Sequence, residues 1–400
     1  MTRLRELAQV FLKIGTLGFG GPAAHIALME KEVVQARQWL TQAEFLDLVG
    51  ATNLIPGPNS TEMAIHLGLR RAGWPGLAVA GICFILPAVI LTTLLAILYQ
   101  EYGTVPALMP LLTGIKPVVL VIIGEALWRL GKKALKSWRL VPIVVFVVAL
   151  VLVGVNEVLA LLLGGGLGLA WLGMPRLYSM AWPLLAVAAP ELGAASAGTA
   201  VSLSALGLFF LKIGCVLFGS GYVLVAFVQE DLVNRLGWLT NAQLLDAIAI
   251  GQFTPGPVLS TATFIGYLVA GLPGAGVATV GIFLPSFVFV ALLSPWVPVL
   301  RRSVSAGRFL DAVNAGSIAL MAVVTLRLAW NQLLLPLAGL AGLTAAPTDA
   351  TPLGIFTSWL VLLLSVVAVR LPIKMGTAAL VGMGASVGWL GWAAEQWLTT

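Results

Sequence analysis

The sequence predicts an all-α polytopic membrane protein built from two homologous halves in inverted orientation, with broken or re-entrant helices at two PGP motifs. Three observations predict it. The 400 residues are 60% hydrophobic and only 10% charged, against about 25% charged residues in a soluble domain. The chain repeats itself at a nearly constant shift. In each copy, two prolines and a glycine interrupt apolar sequence that a helix cannot continue through.

The membrane class follows from run length. Leu77–Leu98, Pro117–Leu127, Val141–Val155 and Phe356–Val369, with their flanks, approach or reach the roughly 20 apolar residues that cross a bilayer. The first residues carry Arg3, Arg5, Glu6 and Lys13 with no small-residue cleavage site, so they are expected to be mature protein rather than a signal peptide. Cys83 and Cys215 both lie in apolar segments; neither a disulfide framework nor a metal site is expected. The net charge of +6 comes from basic loops and bears on orientation, not on nucleic acid. There is no Walker-type phosphate loop and no HExxH, so neither ATP hydrolysis nor an intramembrane enzyme is predicted. No cofactor is called for.

The repeat is direct. Phe11-Leu12-Lys13-Ile14-Gly15 recurs as Phe210-Leu211-Lys212-Ile213-Gly214, a shift of 199 that also maps Trp39-Leu40-Thr41 onto Trp238-Leu239-Thr240, Asp47 onto Asp246 and Pro56-Gly57-Pro58 onto Pro255-Gly256-Pro257. One residue is then dropped, and Gly73 meets Gly271, Leu86-Pro87 meets Leu284-Pro285, and Arg129-Leu130 meets Arg327-Leu328. The expected domains are 1–187 and 204–400, with a linker at 188–203. Loop charges set their relative orientation, since lysine and arginine collect on the cytoplasmic side. The loop Gln100–Pro110 has no basic residue and Arg129–Arg139 has five, whereas Trp296–Arg308 carries Arg301, Arg302 and Arg308 and no basic residue follows Arg327 until Arg370. The halves therefore face opposite ways, a secondary-transporter pattern that puts substrate near the midplane at the repeat interface.

In chain order, Leu7–Leu28 reads as one apolar helix broken at Gly18-Phe19-Gly20-Gly21-Pro22, with a counterpart break at Phe218-Gly219-Ser220-Gly221. The stretch from Met29 to Phe45, with Glu30, Lys31, Glu32 and Arg37 around Val33 and Val34, suits an amphipathic interfacial helix. Asn53 ends a short helix before the break at Pro56 and Pro58, so Phe45–Leu69 is either a re-entrant hairpin or one broken span. Leu77–Leu98 and Leu111–Trp128 are full spans, and Val141–Val155 and Val158–Leu172 shorter ones. The second half repeats the order near Gly274–Leu293, Leu310–Leu328, Phe356–Val369 and Met375–Trp392. Trp74, Trp128, Trp138, Trp296 and Trp330 near segment ends suit interfacial belts.

The candidate substrate site sits at the breaks. A new helix starting at Asn59-Ser60-Thr61 presents unpaired amides and partial positive charge, an anion site in outline, alongside Gly57 and Asn53. The second half offers Gly256, Ser260, Thr261 and Thr263, although Val258-Leu259 replace Asn59-Ser60, which shifts affinity to the first half. Gly20, Gly21 and Gly219 with Pro22, and Pro255 with Pro257, break the remaining helices. Lys13 and Lys212 lie in apolar runs where a retained charge usually faces a cavity; reaching it, two ammoniums would compensate a dianion, and the alternative is snorkelling to headgroups. His25, Glu62 and His66 have only Leu224, Thr261 and Ile265 opposite them. With Glu30 they are proton-coupling candidates, the alternative being a structural Glu62–His66 pair one turn apart.

These residues resemble a known family. FGGPAAHIALMEKEVV, FLDLVGATNLIPGPNSTEMAIH and RAGWPGL with GICFILPAV, then FLKIG, FGSG and QFTPGPVLSTATFIGYLVAGLPGA, look like the chromate ion transporter (CHR) family in its long, two-domain form. The resemblance implies chromate export across the bacterial inner membrane and chromate resistance, with sulfate as the related oxyanion. It carries over Gly20, Gly21, Pro22, His25, Glu30, Asn53, Pro56, Gly57, Pro58, Asn59, Ser60, Thr61, Glu62 and His66; the second-domain motif departs at Gly221, Val258 and Leu259. The expected partners are thus chromate, sulfate and the lipid bilayer. Other readings are transport of sulfate or another oxyanion, or a non-transporting membrane sensor. Oligomeric state is left open, a homodimer among the options.

Overall fold

The computed structural model describes residues 2–19, 21–103, 105, 109–171, 201–218, 221–297, 299, 303–340, 351–370 and 375–399. Gly20, Gly219 and the expected linker up to residue 200 lie outside them, and no strand occurs among them.

Each repeat opens with two helical hairpins whose tips are the sequence breaks. In the first, α1 (Thr2–Leu17) stops ahead of the glycines, and α2 (Pro22–Glu30) restarts with Gly21 at φ +78° and Pro22 at its first position, where a missing amide costs nothing. Six π-helical residues, Lys31–Ala36, extend α2 back along α1. Lys13 Nζ meets Glu32 Oε1 at 2.6 Å and Trp39 Nε1 donates to Glu6 at 3.3 Å, so the arms run antiparallel. The stretch expected to lie in the membrane interface is therefore the hairpin's return arm. The burial of Glu32 against Lys13 and Arg37 turns it inward.

The second hairpin settles the choice left open at Phe45–Leu69. α3 (Gln42–Thr52) begins at a Thr41–Glu44 capping box and ends at Asn53; the tip is Pro56-Gly57-Pro58, and α4 (Asn59–Tyr102) leaves it. An ion pair joins Glu44, at the start of α3, to Arg70 near the far end of the first arm of α4. Both ends thus lie together and the segment is re-entrant. At about 1.5 Å per residue the 11 residues of α3 reach roughly 16 Å, about half of a hydrocarbon core. α4 then folds back on itself at Ala72 (φ −145°, ψ 24°) and Gly73 (φ 62°, ψ −150°), a backbone that favours glycine. Gly68 packs against Gly76 and Ala80, and Ile65 against Gly81.

The second repeat builds the same pieces. α8 (Leu203–Val216) is followed by α9 (Leu224–Phe227) with π-helical Val228–Arg235, and α10 (Asn241–Phe253) begins at a Thr240–Gln243 capping box. A 3-10 turn, Val258–Ser260, enters α11 (Thr261–Leu293), which folds back at Ala270 (φ −146°, ψ 28°) and Gly271 (φ 62°, ψ −154°). Matched residues carry matched dihedrals.

The outer helices are α5 (Met109–Ala134), α6 (Val141–Leu152) and α7 (Glu157–Trp171) in the first repeat. The second has α12 (Val304–Ala329), continued through π-helical Trp330–Leu334 into α13 (Leu335–Leu340), then α14 (Pro352–Arg370) and α15 (Thr377–Thr399). They are exchanged between repeats. α7 packs on α12 through Gly165 against Phe309 and Gly168 against Ala312, while α15 packs on α5 through Gly384 and Gly388 against Gly114. The matched helices α5 and α12 run antiparallel, since Gly131 faces Ile318 and Lys136 pairs with Asp311 at 2.7 Å.

Among the described residues six helices are long and apolar enough to cross a membrane: Asn59–Tyr102, Met109–Ala134, Val258–Leu293, Val304–Gly339, Pro352–Arg370 and Thr377–Trp397. The long arm of α4 displays both faces of such a helix. Ala80, Phe84, Ala88, Thr92 and Ala96 are buried, while Ile82, Leu86, Ile90, Leu94 and Leu98 are exposed four residues apart, where lipid replaces water. Trp74, Trp128, Trp138, Trp296 and Trp330 are all exposed.

Candidate functional site

The tips of these hairpins meet. Gly57 N donates to Leu217 O at 2.7 Å, and Gly256 N donates to Gly18 O at 2.9 Å. Under the repeat shift Gly57 matches Gly256 and Gly18 matches Leu217, so the two bonds are reciprocal. Each PGP tip reaches across to cap the end of the other repeat's opening helix. Both glycines have positive φ, +139° and +90°, and both are crowded: a side chain on Gly57 would collide with Glu62 Oε1 and Ser286 Oγ, and one on Gly256 would come within 2.9 Å of Ala88 Cβ. Ser286 and Ala88 are themselves matched positions.

These bonds change the electrostatics of the tips. A hairpin tip joins a helix C-terminus, rich in free carbonyls, to a helix N-terminus, rich in free amides. Gly18 O is used by Gly256 N and by His25 Nε2, which donates at 2.8 Å; Leu217 O is used by Gly57 N. At the start of α4 the first helical bonds are Thr61 N and Glu62 N to Pro58 O, so the Asn59 and Ser60 amides have no helical acceptor. Donors remain where acceptors are consumed.

Polar side chains around the tips are buried and unpartnered. Thr61 Oγ1, both carboxylate oxygens of Glu62, His66 Nε2, His25 Nδ1, Ser260 Oγ and Ser286 Oγ have no hydrogen-bond partner, and each residue is 3% exposed or less. Most buried polar groups in folded proteins are bonded, so the unpartnered Glu62 carboxylate and Ser286 hydroxyl that both crowd Gly57 mark a place for a ligand or water. Glu62 and His66 share a helix face but no hydrogen bond joins them.

Other expected site residues have partners within the hairpins. Asn59 Nδ2 donates to Asn53 Oδ1 at 2.7 Å, tying the two sides of the first PGP tip. Thr261 Oγ1 donates to Val258 O at 2.8 Å, and Thr263 bonds Thr279 at 2.7 Å across the two arms of α11. Glu30 accepts from Gln42 Nε2 at 2.9 Å at the outer end, away from Glu62. Lys13, more than half exposed, pairs with Glu32, which also holds Arg37; Lys212 pairs at 3.4 Å with Asp231, which also holds Arg235. Each lysine clamps the two arms of its own hairpin, several residues before the tip. The Lys13 hydrogen bond, foremost, holds the Glu32 carboxyl below the usual carboxylate range, with Arg37 adding to it.

Sequence reasoning missed two features. Ser286 reads as one more residue of FLPSFVF, and only its match to Ala88, a position facing the opposite PGP tip, could have drawn attention to it. Asp246 was noted as a repeat match but not as a site. It is 3% exposed, its Oδ2 accepts from Tyr99 of the first repeat at 2.8 Å, and Lys116 lies within electrostatic reach. Among the described residues no group of three histidines, cysteines or carboxylates is placed to hold a metal ion.

The profile of the Chromate transporter family matches residues 5–169 and 204–389. The chain belongs to the chromate transporter family. Both halves match, which makes it a long, two-domain member. A chromate transport protein of Cupriavidus metallidurans is 34% identical over 86% of this chain and 87% of its own. A probable chromate transport protein of Synechococcus elongatus is 33% identical, covering 86% and 90%, and a chromate transport protein of Pseudomonas aeruginosa 34%, covering 81% and 80%. No solved structure matches. Family membership makes the chain a transport protein rather than an enzyme, and with six apolar helices it is a multi-pass protein of the bacterial inner membrane.

Proposed function

We propose that this protein is a secondary transporter that exports chromate from the cytoplasm, binding the oxyanion where the re-entrant tips meet. The observation that carries the reading is the reciprocal meeting of the two PGP tips, Gly57 N on Leu217 O and Gly256 N on Gly18 O, each followed by a helix start with a buried, unpartnered hydroxyl, Thr61 and Ser260, and with Ser286 beside the Gly57 tip, short donors suited to a tetrahedral oxyanion. Chromate as the ion rests on what the relatives are named for; sulfate is the second oxyanion the same donors would take. A negative-inside potential favours exit of a dianion by about 2.3 kcal/mol per charge per 100 mV, so export proceeds on the potential or with an ion coupled through Glu62 or His66.

The two domains, 1–187 and 204–400, are proposed to sit upside down relative to each other in the bilayer. Supporting this are the antiparallel packing of matched α5 and α12 and the gathering of Arg37 and Arg71 on Glu6 and of Arg70 on Glu44 near the outer end of the first repeat's hairpins. The test is flux: everted vesicles holding only this protein should accumulate chromate when the interior is positive, and sulfate should compete. No accumulation under either sign of potential would remove the reading.

A further inference from the structure

Glu62 is a carboxylate set at the tips with no countercharge. It is fully buried, neither oxygen has a partner, and it stands against the Gly57 tip beside Ser286 Oγ. Apart from His66 on its own helix and Tyr267 on α11, the charged groups on the elements around it are engaged elsewhere or lie toward the outer ends. On its own helix, His66 lies one turn on and Arg70 is drawn to Glu44. From α1, Lys13 is paired with Glu32 and Glu6 with Arg71; from α2, His25 donates to Gly18 O and Glu30 accepts from Gln42. α3 brings Glu44 and Asp47 near its outer end, α10 brings Asp246 bonded to Tyr99, and α11 carries no charged residue. A lone carboxylate in such surroundings is very costly when ionised, and a dianion placed beside it makes it more so.

We propose that the site takes up its oxyanion together with one proton on Glu62, whose O–H then donates a hydrogen bond to the anion while Ser286 and Thr61 supply others. This rests on the oxyanion reading above and adds its linkage. The proton comes from water on the loading side and leaves with the anion, so a dianion crosses with one net negative charge rather than two. The asymmetry of the repeats fits a single proton: the position matched to Glu62 is Thr261.

The test is binding of chromate and of sulfate to the purified full chain over the alkaline range in which both are dianions, so any pH dependence belongs to the protein. Affinity should fall by about tenfold per pH unit once Glu62 ionises in the empty site, and Glu62→Gln, a neutral donor of the same shape, should bind with affinity independent of pH. A second measurement needs no variant: adding either anion to weakly buffered wild-type protein in that range should withdraw about one proton per anion bound. Binding with no proton withdrawn, or a pH slope that survives Glu62→Gln, overturns the linkage and leaves the oxyanion site standing. Absence of binding by either anion at any pH overturns the site itself.

Discussion

The two PGP tips have the same backbone and different chemistry. Gly57 and Gly256 make reciprocal cross-repeat bonds of 2.7 and 2.9 Å, and the folds behind them, at Gly73 and Gly271, agree within a few degrees. Yet Gly57 is pressed against a carboxylate and a serine, whereas Gly256 is pressed against Ala88 and the backbone carbonyl of Gly15. Asn59-Ser60 on one side become Val258-Leu259 on the other. The scaffold is kept symmetric so that both tips can be capped, and the polar contacts have been concentrated in one of them.

The sharpest way to break this comparison is to add one methyl at each tip. Gly57→Ala forces φ +139° on a side chain and drives it into Glu62 and Ser286; with strain of order 1–3 kcal/mol and a displaced site, chromate flux in proteoliposomes should be lost. Gly256→Ala also puts a side chain at φ +90° and within 2.9 Å of Ala88 Cβ, but it strikes no carboxylate or hydroxyl, so flux should be reduced but measurable. Equal losses would mean that the tips are functionally equivalent.

Which parts of this were legible from residues follows from what each depends on. The breaks were legible because proline and glycine clustered within a few residues act locally: Gly21-Pro22 and Pro56-Gly57-Pro58 interrupt the helix, whereas the isolated Pro75 and Pro87 lie inside α4. The end of α3 at Asn53 is equally local. What the residues around Lys13 could not reveal was its partner. Glu32 lies 19 positions on, and only the fold-back at Gly21 brings it to 2.6 Å; without that contact, a lysine in an apolar run reads as a ligand. Ser286 was hidden for a similar reason, because it reaches Gly57 only once the two repeats are interlocked.

A middle-sized effect sharpens the comparison at the hydroxyls. Thr61→Val removes an unpartnered donor from the polar tip, and apparent affinity for chromate should weaken about 10- to 150-fold, from roughly 1.5–3 kcal/mol for a hydrogen bond to an anion. Ser260→Ala, at the apolar tip, should weaken it less. Initial-rate measurements against chromate concentration separate the two, and a larger loss at Ser260 would move the anion toward the second repeat.

The lysine clamps give a smaller effect, in the reverse order. Lys212 is only 19% exposed and its partner Asp231 3%, so Lys212→Gln leaves a buried carboxylate with Arg235 alone and should lower the thermal midpoint. Lys13 is 57% exposed, a setting in which an ion pair is worth about 0–1 kcal/mol, and Lys13→Gln should barely change it. Flux per folded molecule should survive both substitutions. Its loss in the double variant, with folding intact, would return the lysines to the anion site.

The smallest expected effect concerns acid. Lys13, with Arg37, holds Glu32 below the ordinary carboxylate range when folded, so this group adds stability that is complete above its unfolded titration point and is lost as pH falls through the lower, folded one. Acidifying detergent-solubilised protein through that window should therefore loosen the first hairpin, read as earlier proteolysis near the Gln38 turn, where the backbone has φ +51°. Because the hydrogen bond from Lys13 is the foremost cause, Lys13→Gln should reduce this acid sensitivity while Lys212→Gln leaves it unchanged. If the two variants respond alike, the clamp in the first repeat is not what fixes its return arm.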